Sequence, residues 1–255
     1  NGIPEACINF NPPGVLGAKT LVYHNVLNVL KSKLSTMYFG LSHGQTAEQI
    51  TEFAKAAKFN DVSAVKSLIS KGFNPNATDS KGDPMLNLAI KDRSDDVINF
   101  LIANKETDVD LSNNSGETPL MIAAISGNLP VVKSLVLQRK AQINHIGWTP
   151  LHYACANGHL DIAQFLIANG ASIDSLSQGN TTPLMMAVQS GNEVLVKLLL
   201  DKGADLQLRN SQGLSAIDIA AIYGKPWIAD GLVARWRKLY KLPYKWPKGL
   251  EPPKS

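Results

Sequence analysis

The chain has little with which to do covalent or metal chemistry. Its 255 residues include two cysteines, Cys7 and Cys155, too few for a disulfide framework. The five histidines (His24, His43, His145, His152 and His159) show no metal-ligand spacing with cysteine or carboxylate support. No Ser/His/Asp or Cys/His arrangement stands out, so neither catalysis nor a cofactor is expected. Residues 14–20 look like a phosphate loop until the spacing is checked. That pattern needs Gly immediately before Lys19 and another Gly five residues earlier, where Ala18 and Pro13 stand. Nucleotide binding is therefore not expected. No apolar run is long enough to cross a membrane. At 44% apolar and 18% charged residues, the composition is that of an ordinary soluble globular chain.

Charge is scarce and unevenly placed. Residues 45–234 hold 15 Lys/Arg against 19 Asp/Glu, a net of −4. Residues 235–255 hold seven basic residues against Glu251 alone, a net of +6, and residues 1–44 add +2. In the C-terminal stretch Arg235, Trp236, Arg237, Tyr240, Tyr244 and Trp246 interleave cations with aromatic rings, while Pro243, Pro247, Pro252 and Pro253 forbid a continuing helix. The reading is a basic, aromatic, Pro-rich tail that docks on a partner or on its own last repeat, with Trp236 partly buried. Nucleic acid is an unfavoured target because the bulk of the chain is acidic and carries no nucleic-acid motif. Peripheral contact with an anionic membrane remains open.

What the chain does have is a period. Trp148-Thr149-Pro150-Leu151-His152-Tyr153-Ala154 has degenerate copies at Thr118-Pro119-Leu120 and Thr182-Pro183-Leu184, with weaker echoes around Leu86 and Ile217. The anchoring apolar residue moves from Phe53 to Leu86, Leu120, Leu151, Leu184 and Ile217, in steps of 31–34 residues. Within the fourth copy Thr149 is placed to cap a helix and Pro150 to begin it. Leu151, Ala154 and Cys155 then share one face, and Gly158 permits the turn into a second helix ended by Gly170. Cys155 reads as a small packing residue, matching Ala124 and Ala221 in other copies.

Irregularities mark the other copies. The first lacks Thr-Pro and has a charged first helix, as expected for a terminal cap. The second has Arg93 where others have Gly, and an extra residue near 105–110. The third loses two residues between Gln138 and Ile146, which predicts a short loop. The sixth has Pro226 in the expected turn into its second helix.

The period and the Thr-Pro-Leu-His-x-Ala signature resemble the ankyrin-repeat family over roughly residues 45–234. The resemblance implies an all-α solenoid of six helix-turn-helix repeats with β-hairpin finger loops, flanked by arms at 1–44 and 235–255. The N-terminal arm combines an extended, Pro-rich start with an amphipathic stretch from Leu21 to Leu34, read as a helix shielding the first repeat or docking on a partner. The resemblance also implies that His152 and His159 make hydrogen bonds between neighbouring loops. It implies a concave binding face built from finger loops and first-helix ends. Mapped onto this chain, that face comprises Phe59, Lys81, Asp83, Glu117, Ile125, His145, Ile146, Trp148, Asn157, Gln189, Leu214, Ile222 and Tyr223.

The expected function is non-enzymatic protein–protein binding, as an accessory or scaffold subunit of a larger assembly, with no homo-oligomer called for. The alternatives are a targeting factor or chaperone that holds clients in the groove, and an adaptor working through the basic tail. The compartment expected for such a fold is intracellular, so the Asn-x-Ser/Thr sites at Asn76, Asn113 and Asn180 are read as unused. The first residue, Asn1, is compatible with a fragment or with processing on entry to a plastid or mitochondrion.

Overall fold

The computed structural model describes residues 45–250. The expected amphipathic stretch in residues 1–44, with Cys7, His24, His43 and the phosphate-loop lookalike, lies outside the described residues, as do residues 251–255. Twelve helices in six antiparallel pairs fill the described part. They are α1 (Ala47–Lys58) with α2 (Val62–Ser70), α3 (Met85–Lys91) with α4 (Asp95–Ala103), and α5 (Pro119–Ile125) with α6 (Leu129–Arg139). Then come α7 (Pro150–Ala156) with α8 (Leu160–Ala168), α9 (Pro183–Ser190) with α10 (Glu193–Asp201), and α11 (Ala216–Ile222) with α12 (Pro226–Tyr240).

Local chemistry sets these boundaries. The Thr118, Thr149 and Thr182 hydroxyls accept the N–H three residues on, and Pro follows each at the first helical position. Gly158 ends the fourth first helix at φ 72°. Arg93 takes the same left-handed turn at φ 57° in the second copy, at a cost of about 1–2 kcal/mol for a side-chain-bearing residue.

Each anchor of the 33-residue period is sealed in the core: Phe53, Leu86, Leu120, Leu151, Leu184 and Ile217 are all 0–1% exposed. Each buried side chain of this kind contributes about 1.5–3 kcal/mol. First helices pack against the next first helix more closely than second helices pack against theirs. The stack therefore curves, with α1, α3, α5, α7, α9 and α11 on the inner radius.

The finger loops close as single tight turns. Asn113 N–H donates to Glu117 O and Gly116 N–H to Asn113 O, at 3.0 and 2.9 Å; the same pair of bonds recurs at Asp79–Asp83, Ser177–Thr181 and Asn210–Leu214. These hairpins are too short to form strands, and Thr78–Pro84 is the single bridge recorded among the described residues. The finger before α7 lacks that bond pair, as its two missing residues predict. The extra residue near 105–110 is held from the next repeat: the Arg139 guanidinium donates to the carbonyls of Ile102, Asn104 and Thr107 at 2.5–3.0 Å.

The sixth repeat departs from expectation. Pro226 does not interrupt the turn; it is the first residue of α12, where a missing N–H costs nothing. That helix runs to Tyr240, past the domain boundary expected at residue 234, and stops where Lys241 turns left-handed ahead of Pro243. Arg235, Trp236, Arg237 and Tyr240 therefore stand on a helix rather than in an extended tail.

Candidate functional site

The inner face is a row of stacked fingers above a row of first-helix ends. Neighbouring fingers are tied through backbone carbonyls: the Asn114 side-chain Nδ2 donates to Lys81 O at 3.0 Å, and Ser211 N–H to Gly179 O at 2.9 Å. His152 makes the corresponding link from α7. Its Nε2 lies 2.9 Å from Thr181 O of the next finger, while Nδ1 accepts the Thr149 N–H at 3.2 Å. Because Nδ1 accepts, Nε2 carries the proton and the ring is neutral. Burial pushes the pKa of His152 down to about 4, against the raising effect of its backbone partners. His159 reaches back, with Nε2 3.1 Å from Ile125 O. Both histidines are structural, and burial raises the Cys155 thiol well above its usual range, leaving it inert.

The expected contact residues divide into three groups. Some are already engaged. Asp83 is buried, paired with Lys91 Nζ at 2.7 Å and bonded by Asn113 Nδ2 at 2.9 Å, so it is not a free contact. Glu117 is half-buried and accepts from Asn113 Nδ2, and His145 is held on Gln142 O at 2.9 Å. Others are half-buried with an edge to solvent. Trp148 packs on Tyr153 and His152 of its own repeat, with ring centroids 5.8 and 5.3 Å away, and Ile125, Gln189 and Leu214 are similarly placed. The third group is exposed: Ile146 at 76%, Phe59 at 69%, and Lys81, Asn157, Ile222 and Tyr223.

Trp227, which the period does not single out, is exposed beside Ile222 and Tyr223, with Lys225 Nζ 5.8 Å from its ring. The signal for it was an aromatic at the second residue of a second helix, where other copies have Ser63, Asp96, Pro130, Asp161 and Val194.

The C-terminal residues seal the last repeat. Tyr244 is buried, its hydroxyl donates to Asp218 Oδ1 at 2.7 Å, and it lies 2.6 Å from Ser215 Oγ. Asp218 has no solvent exposure; its Oδ2 takes Arg209 Nη1 at 3.1 Å and the Ser215 N–H at 2.9 Å. Trp236 packs on Tyr240 and Tyr244, and Trp246 packs edge-on against Tyr244, with centroids 4.4–5.2 Å apart. Arg235 donates to Leu200 O at 2.8 Å, and Arg237 is exposed. Of the two expected docking places, a partner or the chain's own last repeat, Trp236, Tyr240, Tyr244 and Trp246 take the second. Ile222 and Tyr223 are left uncovered by that tail.

Six stacked helix pairs with Thr-Pro caps, linked fingers and buried period anchors decide the family. The ankyrin-repeat model matches this chain in three overlapping copies, at residues 53–146, 105–177 and 169–238. The chain belongs to the ankyrin-repeat family. Ankyrin repeats generally mediate protein–protein interaction, and this chain is similar to parts of much larger proteins. It is 27% identical over 161 residues to the Homo sapiens transient receptor potential cation channel subfamily A member 1, covering 59% of this chain and 14% of that one. It is 29% identical over 203 residues to the Gallus gallus nuclear factor NF-kappa-B p105 subunit, covering 67% and 21%. With the Homo sapiens neurogenic locus notch homolog protein 1 it shares 31% over 156 residues, covering 59% and 6%. The chain thus spans about a fifth or less of these relatives' lengths. Among the described residues no helix is long and apolar enough to cross a membrane, and no cluster of metal-ligating side chains occurs.

Proposed function

We propose that the chain is a non-enzymatic protein-binding module whose inner, finger-and-first-helix face engages a partner, and that it serves as an accessory or scaffold subunit of a larger assembly. The observation that carries this reading is the apolar row left in solvent on that face, from Ile146 and the edge of Trp148 to Ile222 and Tyr223. Exposed apolar surface of this kind marks interaction sites, and Trp and Tyr dominate the energetics of interfaces. Apolar side chains are exposed elsewhere too, at Leu137 and Val194 on second helices and at Trp227, Leu239 and Leu242 toward the C-terminus, but those on the inner face fall on its finger and first-helix ends. The targeting-factor and tail-adaptor alternatives draw less support. The rings that would stack on bases or insert into a bilayer interface are engaged with Tyr244 and Asp218.

The test is native purification of the full chain at moderate salt, followed by size-exclusion chromatography and quantitative mass spectrometry. A discrete complex at fixed stoichiometry that dissolves on Ile146→Asp supports the reading. A monomer whose elution is indifferent to Ile146→Asp refutes it.

A further inference from the structure

We infer that the inner face of repeats three to six takes an uncharged polypeptide segment, one that presents apolar side chains and carries no ionised group against the groove. This rests on the proposed role of that face and names the chemistry of its occupant.

The argument starts from where charge is missing. Residues 118–128, 141–160, 175–192 and 210–217 contain no Asp, Glu, Lys or Arg, 57 positions in a chain that is 18% charged. Those segments are the first helices α5, α7 and α9, the end of α11's cap, and the fingers between them. Burial explains part of this, but the solvent-facing positions show it too. At the two residues before the first-helix turn, repeats one and two place Lys58, Phe59, Lys91 and Asp92, three of the four charged. None of the eight matching places in repeats three to six is charged; they include Ile125, Asn157, Gln189, Ile222 and Tyr223, with Ser or Ala at the other three. At the finger tip, Lys81 of repeat two corresponds to Ile146 of repeat four. The ionised groups that reach its margin are engaged: Arg93 by the Ser126 carbonyl at 3.3 Å, Glu117 by Asn113, and Arg209 by buried Asp218. Lys225 sits at the edge, beside the Trp227 ring. Charge is not scarce on the back of the same repeats, where Lys133, Asp161, Glu193 and Lys197 are exposed.

A surface of this make-up selects by what it cannot neutralise. A charged side chain pressed into it would lose water and find no counter-ion, which costs several kcal/mol. An apolar side chain loses nothing. The amides of Asn157 and Gln189 supply both donors and acceptors for a partner's backbone. One surface hollow, of about 420 Å³, opens at the strip's edge in repeat three, where Ser126, Gly127 and Asn128 meet Arg93 and Asp95. A long, shallow, neutral surface crossing four repeats fits a polypeptide. Because no ion pairs form, affinity should be flat in salt, unlike contacts between exposed charges.

The experiment is selection of a random-peptide display library on the immobilised full chain, then fluorescence titration of the recovered peptides at low and high salt. The expected result is peptides rich in apolar residues and free of charge, with Kd changing less than twofold with salt. Binding should fall tenfold or more in Ile146→Lys and Tyr223→Lys, both at exposed positions that leave the core intact, and stay unchanged in Lys197→Glu on the back. Charged peptides that weaken with salt yet still depend on Ile146 overturn the inference while leaving the binding face in place. Peptides indifferent to both Ile146→Lys and Tyr223→Lys overturn the inference and the proposed face together.

Discussion

His152 and Asp218 occupy the same place in two different repeats, the third residue of a first helix, each bonded back to its capping Thr149 or Ser215. They face opposite situations. Beyond repeat four lies another finger, and a neutral imidazole hands its Nε2 proton to Thr181 O. Beyond repeat six the described residues hold no further finger, and a buried carboxylate there receives the Tyr244 hydroxyl and Arg209 instead. Repeats two and four are completed by a backbone acceptor in the next finger, Glu117 O for Asn87 and Thr181 O for His152, so the position wants a donor; the sixth is completed by side-chain donors, so it wants an acceptor. The solenoid closes its end by inverting the polarity of one hydrogen bond.

Exchanging the two chemistries should break this comparison most severely. His152→Asp sets a buried carboxylate against the Thr181 carbonyl with no cation near, and should cost about 4 kcal/mol or more in urea unfolding. A smaller loss, under about 1 kcal/mol, would mean the position tolerates either charge type. Next comes Arg209→Met, which leaves Asp218 buried with hydroxyl and backbone donors only. The expected cost is about 3 kcal/mol, at the low end for a broken buried pair because the Arg209 side chain is 41% exposed. It should appear as early unfolding of the C-terminal repeat, read by Trp236 fluorescence.

Tyr244→Phe removes one donor to a charged acceptor, worth about 1.5–3 kcal/mol. It also sharpens the comparison through pH. Burial, with Asp218 adding to it, pushes the pKa of Tyr244 up to about 12, so the folded state holds the phenol proton more tightly than the unfolded chain. Stability from this group is complete below pH about 10, the ordinary tyrosine value, and is lost as pH rises toward 12. Tyr244→Phe should abolish that alkaline step.

The interior site responds from the other side. His152, with its pKa lowered to about 4 by burial, contributes stability that is complete above pH about 6.5. That contribution falls away as pH drops toward 4. Acid should therefore open the middle of the stack and alkali its end, which amide hydrogen exchange at pH 4.5 and pH 11 would separate. The smallest effect belongs to Lys197→Ala, which deletes an exposed i,i+4 pair with Asp201; it should change stability by no more than about 0.5 kcal/mol.

Helix placement was legible because its determinants are local. Thr149-Pro150 and Gly158 each act within a few residues of themselves, and the period repeats them often enough to be read. The two-residue deficit before α7 likewise announced a finger without the usual turn. What stayed hidden depends on residues far apart in sequence. Nothing near Tyr244 says that it returns to Ser215 and Asp218, though an Asp within the run Ser215-Ala216-Ile217-Asp218-Ile219-Ala220 is a signal that a donor must come from somewhere. Pro226 was misread because a proline at a turn and a proline opening a helix look alike until the helix is seen. Among the candidate contacts, Ile146 and Tyr223 stand in solvent, whereas Asp83 is taken up by Lys91 and Asn113, partners that sequence spacing does not reveal.

The terminal seal also sets a clock on biosynthesis. Asp218 and Tyr244 are 26 residues apart, and a ribosome adding about 5–20 residues per second needs roughly 1–5 s to cover that distance. Interior links wait as long, 29 residues from His152 to Thr181 and 30 from Asn87 to Glu117. What the sixth repeat holds meanwhile is a carboxylate whose Oδ1 lacks its donor until Tyr244 leaves the tunnel. Nascent chains stalled short of residue 244 should therefore carry five ordered repeats and one loose one, the substrate on which holding chaperones and proteases would act first.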